Sequence, residues 1–289
     1  MASQPLSFEE TSRFAQLGDL RLHYNEAGEG DALVMLHGSG PGATGWSNFK
    51  QNLPAFAARF HVLVVDQPQF GLSDAPESKE QYNVFAARAI RDLLDDLGIA
   101  QAHFLGNSLG GGTAMRFALD YPDRAGRLVL MGPGNSWLPM LSPEPTEGIK
   151  ILGKFLAPPG PSREKMEEFI RIMVYDQSFV TEELIDERYK MATDPSVMKG
   201  MLNYVNTIMG PGEEERRQGE LWREMDRIEH PTLITWGRDD RVLTLDGALF
   251  TLHRMPDARL HVFPRCGHWA QVEHAREFER ISIDFLSAS

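Results

Sequence analysis

Gly106-Asn107-Ser108-Leu109-Gly110 decides the fold. An apolar run, Ala102 to Leu105, precedes it, and a helix-like segment, Leu109 to Tyr121, follows. A strand, a sharp Gly-x-Ser-x-Gly turn and a helix in that order make a nucleophile elbow. The turn leaves little room for flanking side chains, and glycine at both ends removes the clash. The serine oxygen is then held above a sheet. The helix behind it aims its free N–H groups at the place where negative charge would develop.

A nucleophilic serine needs a base, and the base needs an acid to orient it. In elbow architectures these follow in the order serine, acid, histidine. Downstream, Pro231 to Trp236 (PTLITW) reads as a buried strand running into Gly237-Arg238-Asp239-Asp240-Arg241. A helical segment, Leu245 to Arg254, and a strand, Arg259 to Phe263, come next. That strand ends in Pro264-Arg265-Cys266-Gly267-His268-Trp269. An acid after one strand and a histidine after the next stand at carboxyl strand ends, where a doubly wound sheet presents its catalytic groups. Of nine histidines, only His268 combines this order, a strand end and a preceding glycine. Asp239 and Asp240 compete for the acid. Cys266 reads as a packed thiol.

Upstream, the apolar strand Ala32 to Leu36 ends in His37-Gly38-Ser39-Gly40-Pro41-Gly42. Glycine-rich backbone there can turn an N–H toward the serine, and by position Ser39 supplies it. The second N–H of this oxyanion hole belongs to Leu109, the residue after the nucleophile. His37 precedes the serine and reads as a structural histidine tying the loop down.

The chain has 289 residues, 42% of them hydrophobic, enough for one α/β domain with an insertion. No twenty-residue apolar span predicts a membrane helix. The stretch Met1 to Thr11 does not read as a signal peptide. A single cysteine excludes an internal disulfide and fits a reducing cytoplasm. A net charge of −12 argues against nucleic acid or an anionic membrane as partner. No metal-ligand cluster and no dinucleotide fingerprint occurs, so no metal or cofactor is expected.

Strands are readable at Leu20 to Asn25, Leu33 to Leu36, His61 to Val65, His103 to Gly106, Arg127 to Met131, Thr232 to Trp236 and Arg259 to Phe263. Helical periodicity covers Asn48 to Arg59, Val84 to Leu97, Leu109 to Tyr121 and Arg276 to Leu286. The alternation predicts a mainly parallel sheet with helices on both faces. Between Gly134 and about Glu215 the strand signals stop. Prolines cluster at 139, 143, 145, 158, 159 and 161, and amphipathic helices are predicted over Arg163 to Tyr175, Glu182 to Ala192 and Val197 to Ile208. Met140, Leu141, Phe155, Ile172, Met173, Val174, Met201, Val205 and Met209 either pack this insertion or, some of them, line a pocket. The charged run Glu213 to Arg217 reads as a solvated face.

These segments resemble the α/β-hydrolase family from about Phe14 to Phe285. Its fold implies an eight-stranded, mainly parallel sheet with an inserted helical cap: a core over residues 1–135, a cap over 136–215 and the rest of the core over 216–289. The family's Gly-x-x-Asp spacing selects Asp240 over Asp239. Within the family, His37 to Ala43, Gly45-Trp46-Ser47-Asn48, Gly106-Asn107-Ser108, Met131-Gly132-Pro133-Gly134 and Cys266-Gly267-His268-Trp269 resemble the meta-cleavage product hydrolases. These cut a carbon–carbon bond in vinylogous 1,5-diketones made by ring-opening dioxygenases. Residues 110–134 are similar to the steroid-ring branch of that group.

The resemblance implies a Ser108–Asp240–His268 triad and an anionic dienoate substrate. Gly38, Gly40, Asn48, Asn107, Arg188 and Trp269 would bind that substrate, with the Arg188 fork suited to its carboxylate. In an acidic chain such a site must supply its own positive charge. A homodimer or a homotetramer is compatible with the resemblance. Rivals are a carboxylesterase with the same triad and a non-catalytic ligand-binding homologue. The chain departs from the pattern at Gln69, where relatives usually have glycine, and at Thr244, where many have proline.

Overall fold

The computed structural model describes residues 6–136, 141, 145–208 and 212–288. Eight strands form one sheet: β1 Ser12–Leu17, β2 Leu20–Ala27, β3 Ala32–Leu36, β4 His61–Val65, β5 Ala102–Asn107, β6 Ala125–Met131, β7 Thr232–Gly237 and β8 Ala258–Phe263. Their order is β1-β2-β4-β3-β5-β6-β7-β8. The pairs β1–β2 and β2–β4 are antiparallel and all others parallel. Every residue of β3 and β7 is buried, as continuous apolar runs between two helical layers require.

The sequence reading found seven of these strands, with ends shifted by up to two residues. It missed β1, in which only Ala15 is buried and even Phe14 is exposed. As an edge strand it carries too little apolar signal to be seen by period alone. The single helix predicted over Asn48 to Arg59 is two, Gly45–Phe49 and Leu53–Ala57. Between them Asn52 N donates to Phe49 O at 2.9 Å, a tightened last turn. Pro54, which has no N–H to donate, is tolerated because it lies in the first turn of the second helix, where N–H groups have no intrahelical acceptor.

After β6 the chain leaves the sheet and forms the helices Glu147–Lys154, Arg163–Met173, Glu182–Ala192, Pro195–Ile208 and Glu213–Gln218. Thr146, Ser162 and Thr181 cap the first three by accepting N–H bonds at their starts. The first helix was not read from sequence, because the proline cluster around it masked an eight-residue segment. Met140, Met209, Pro139 and Pro143 lie outside the described residues. Glu213–Gln218 buries nothing, as a solvated face should. No helix among the described residues is long and apolar enough to cross a membrane.

These helices seat on the carboxyl ends of the strands through close backbone approaches. A methyl group at Gly200 would collide with Gln69 O, and one at Gly42 with Arg188 O. Gly148 N donates to Arg241 O at 2.9 Å. Gln69, one of the two departures from the family pattern noted above, holds φ +73 in the left-handed region and is buried.

The elbow's glycines are steric requirements. A methyl group at Gly110 would overlap Leu36 O of β3, and one at Gly106 would overlap Gly110 O. Gly110→Ala is expected to destabilise the fold by at least about 2 kcal/mol. Gly153→Ala, in an exposed helix with open space around it, is expected to stabilise by about 0.5–1 kcal/mol. Thermal midpoints of the two variants check this. Equal midpoints would mean that the elbow tolerates a side chain.

Candidate active site

Ser108 sits between β5 and the helix Leu109–Asp120 with φ +51 and ψ −114. Such a conformation costs a serine roughly 1–3 kcal/mol and persists only where the surroundings fix it. Here they do. Ser108 N donates to Met131 O at 2.8 Å, and Gly134 N donates to Ser108 O at 2.7 Å. The strained residue is thus strapped to β6 and the segment after it.

His268 and Asp240 form a buried pair. His268 Nδ1 lies 2.6 Å from Asp240 Oδ2, and both side chains are only 1% exposed. The other carboxylate oxygen, Oδ1, accepts from Val242 N at 2.7 Å and Leu243 N at 3.0 Å. The acid is therefore oriented from both sides before the chain reaches Thr244. Asp239 instead faces Arg238 at 3.2 Å with its side chain about a third exposed. Of the two acids open in the sequence, only Asp240 touches the histidine. His268 Nε2 is buried without a hydrogen-bond partner, and His268 and Ser108 line the same cavity. No hydrogen bond joins them here. Such bonds are often long in free enzymes and tighten when substrate binds.

His268 also depends on the helices above. Its N–H donates to Met173 O at 2.7 Å. Glu273 accepts from Gly267 N at 2.6 Å and, through its other oxygen, from Tyr175 N and Asp176 N at 2.8 Å each. One carboxylate thereby joins the histidine loop to the chain after Arg163–Met173. Partial burial raises its pKa, against the lowering effect of those three N–H groups. Sequence reading missed Glu273, since nothing in its neighbourhood marks which backbone it faces.

All the sequence-chosen residues except Asp240 and Leu109 line this one cavity. Asp240 stands behind His268. Leu109 opens its helix, where the first N–H groups have no intrahelical acceptor. Asn107 is buried with its Oδ1 unpaired, and Asn48 donates from Nδ2 to Thr44 O at 3.0 Å. A methyl group at Gly40 would overlap the Phe169 ring, so that glycine makes room for an apolar wall. Leu152, Phe169 and Val242 also line the cavity and were not singled out in the sequence. Of the apolar residues weighed there, Met173 lines it, whereas Phe155 and Val174 are buried core and Val205 and Leu141 are exposed. The space left is about 10 Å³, room for roughly one water. A larger molecule does not fit unless the lining rearranges.

Arg188 is the charged residue of this wall. It is 3% exposed, donates from Nη1 to Pro41 O at 3.1 Å, and leaves Nε unpaired. Its guanidinium lies 4.8 Å over the Trp269 ring and 5.8 Å from Phe169. The acid beside it in sequence, Glu187, pairs with Lys50 instead. Burial without a carboxylate partner pushes its pKa down to about 10. It remains a cation at neutral pH.

His37 holds the loop. Its Nδ1 lies 2.8 Å from Gly38 O, and its Nε2 accepts from Gln67 N at 3.0 Å. Burial lowers its pKa. Cys266 is fully buried, and burial pushes its thiol pKa well up, so it is a poor nucleophile. Asp240→Asn is expected to lower turnover on the order of 10⁴-fold, as loss of the tautomer-fixing acid does in such triads. Asp239→Asn should stay within about threefold of the unaltered protein, as an exposed pair allows. Steady-state kinetics of both variants check the ranking, and the reverse order would move the acid to Asp239.

Residues 33–281 match the model of the alpha/beta hydrolase family. A 2-hydroxy-6-oxo-6-phenylhexa-2,4-dienoate hydrolase of Burkholderia cepacia is 43% identical over 98% of this chain and 98% of its own. A 2-hydroxy-6-oxononadienedioate/2-hydroxy-6-oxononatrienedioate hydrolase of Comamonas testosteroni is 42% identical, with the same coverage. The solved structure of a mutant meta-cleavage product hydrolase from Pseudomonas fluorescens IP01, complexed with acetates, superposes with a TM-score of 0.83 at 31% identity, covering 96% of this chain and 98% of that one. The chain belongs to the alpha/beta hydrolase family and, within it, to the meta-cleavage product hydrolases.

Proposed function

We propose that the protein hydrolyses a carbon–carbon bond in a 2-hydroxy-6-oxo-hexa-2,4-dienoate, releasing a 2-hydroxypenta-2,4-dienoate and a carboxylic acid. The observation that carries this reading is Arg188, a buried cation with no carboxylate partner in the cavity that also holds Ser108 and His268. A buried charge without its counter-ion is costly, and a substrate carboxylate would offset that cost through two parallel bonds. The relatives named above are, by name, a phenylhexadienoate hydrolase and a nonadienedioate/nonatrienedioate hydrolase, which supports a dienoate substrate of that kind.

Asn48, Asn107 and Trp269, with the backbone of Gly38 and Gly40, hold the dienoate end beside Arg188. Cleaving carbon from carbon needs an electron sink. Moving the enol proton to carbon turns the dienol into a ketone that can receive the bonding pair, and His268 is the proton shuttle. Ser108, or a water in its place, adds to the distal carbonyl. The N–H groups of Ser39 and Leu109 stabilise the resulting oxyanion. Collapse expels the dienolate carbon fragment, and water supplies the hydroxyl of the acid. We divide the chain into a core, residues 1–135 and 216–289, and a cap, residues 136–215. We place the enzyme in the cytoplasm, a compartment consistent with its single buried thiol.

Two variants test the reading on two substrates. Ser108→Ala should keep its thermal midpoint and lose at least about 10³-fold in turnover of the yellow dienolate. Arg188→Gln should lose roughly 2–5 kcal/mol of transition-state stabilisation on the dienoate, while hydrolysis of neutral p-nitrophenyl acetate changes little. Its thermal midpoint should hold or rise, because a buried charge has gone. Equal losses on both substrates would make Arg188 a support of the cap. Brisk ester hydrolysis without dienoate cleavage would make the protein a carboxylesterase.

A further inference from the structure

His37 follows β3, is fully buried, and precedes three residues that line the catalytic cavity, Gly38, Ser39 and Gly40. Each nitrogen of its ring has a partner. At Nε2 the partner is a main-chain donor, Gln67 N at 3.0 Å, so Nε2 is the unprotonated nitrogen. The proton of the neutral ring is therefore on Nδ1, which donates to Gly38 O at 2.8 Å. Burial lowers the pKa of this imidazole and keeps it neutral.

The Gly38 carbonyl belongs to the peptide that also carries the Ser39 N–H. That peptide is trans, so the two groups point in opposite directions. Holding the oxygen on the His37 ring directs the N–H away from the ring. Ser39 lines the cavity, and among the described residues its N–H has no acceptor. The loop also lies against the nucleophile, since a methyl group at Gly38 would come within 3.2 Å of Ser108 Cβ. Rotation of this peptide would turn the Gly38 oxygen where the N–H now points, and a carbonyl oxygen there repels an oxyanion.

Gln67 holds His37 twice. Its main-chain N–H is on the ring, and its side-chain Nε2 donates to His37 O at 2.7 Å. Gln67 Oε1 accepts from Thr113 Oγ1 at 2.8 Å. Thr113 lies four residues after Leu109, one turn along the helix that opens with the other proposed oxyanion donor. Gln67 and Thr113 are fully buried. One unbroken chain of bonds thus sets the two donors relative to each other, from the helix of Leu109 through Thr113, Gln67, His37 and Gly38 to Ser39.

We propose that His37 is the positioning residue of the oxyanion hole: its Nδ1–H holds the Gly38 carbonyl and so turns the Ser39 N–H into the cavity, while Gln67 fixes the tautomer that does this. The proposal rests on Ser39 and Leu109 as the oxyanion donors of the reaction above. His37 touches neither the substrate nor the reacting atoms. It acts through one peptide plane.

Two substitutions separate the two nitrogens. His37→Asn keeps an amide N–H near the position of Nδ1 and has nothing at Nε2. His37→Gln reaches the position of Nε2 with an amide oxygen and leaves Gly38 O without its donor. Each leaves one buried group unpaired, so the thermal midpoints should fall by similar amounts. His37→Gln should lower kcat on the dienoate about 10²-fold, the effect of losing one oxyanion donor, with KM within about threefold. His37→Asn should keep kcat within about tenfold of the unaltered protein, because the peptide stays in place. The second readout is calorimetric titration with phenylboronate. Its boron accepts a lone pair from Ser108 Oγ as the serine proton passes to His268, and a boron-bound oxygen then occupies the hole. Affinity should fall at least about tenfold in His37→Gln and stay within about threefold in His37→Asn. Thr113→Val, which removes the hydroxyl behind Gln67, keeps the test intact if the His37 variants do not fold. It should lower kcat and phenylboronate affinity together, with KM retained.

Equal losses of kcat and of phenylboronate affinity in the two His37 variants, in step with their thermal midpoints, would overturn the proposal and leave His37 a packing residue. Phenylboronate needs no carbon–carbon bond to be cut, so it reports on the hole whatever the substrate. Affinities ranked as expected, in a protein that cleaves no dienoate, would keep the positioning role and remove the catalytic reading. Dienoate cleavage with equal losses in the two variants would do the reverse.

Discussion

The left-handed backbone of Ser108 is the constraint on which the rest of the molecule depends. A serine at φ +51 is held there only by bonds to β6 and to the chain after it, and by glycines at 106 and 110 that let strand and helix come within backbone contact. Those contacts require β5 to lie between β3 and β6 in the middle of the sheet. They also require the neighbouring apolar runs to be buried on both faces. The buried sheet provides the rigidity that stores the strain, and the strain presents the hydroxyl.

The second dependency is electrostatic. The chain carries a net charge of −12, a field unfavourable to an anion, yet the cavity over Ser108 contains a buried guanidinium. The helices after β6 bring it there. They seat by backbone against backbone at Gly42 and Gly200, and they hold the histidine loop through Met173 O and the three N–H groups on Glu273. The same helices thus wall the cavity and hold the surroundings of His268.

Much of this was readable in the sequence because it rests on local rules. The Gly-x-Ser-x-Gly turn, the apolar runs of β3 to β8 and the strand-end positions of Asp240 and His268 each have a short-range cause. The choice between Asp239 and Asp240 did not follow from composition; family spacing selected Asp240, and burial against His268 distinguishes the two in the fold. What escaped depends on which distant surfaces meet. Ser12–Leu17 is a strand through its pairing with β2 and not through its own pattern. Phe169 lines the cavity because Gly40 leaves it space. Glu273 and Gln271 sit two residues apart in an unremarkable segment, and only the fold gives one three backbone donors and leaves the other with none for its side chain.

The most direct measurement is chromatographic identification of the products when the purified protein is mixed with 2-hydroxy-6-oxo-6-phenylhexa-2,4-dienoate. Equimolar benzoate and 2-hydroxypenta-2,4-dienoate, appearing as the yellow dienolate disappears, are the expected result. Persistence of the intact dienoate in the presence of folded protein would contradict the assignment of this cavity to carbon–carbon bond hydrolysis.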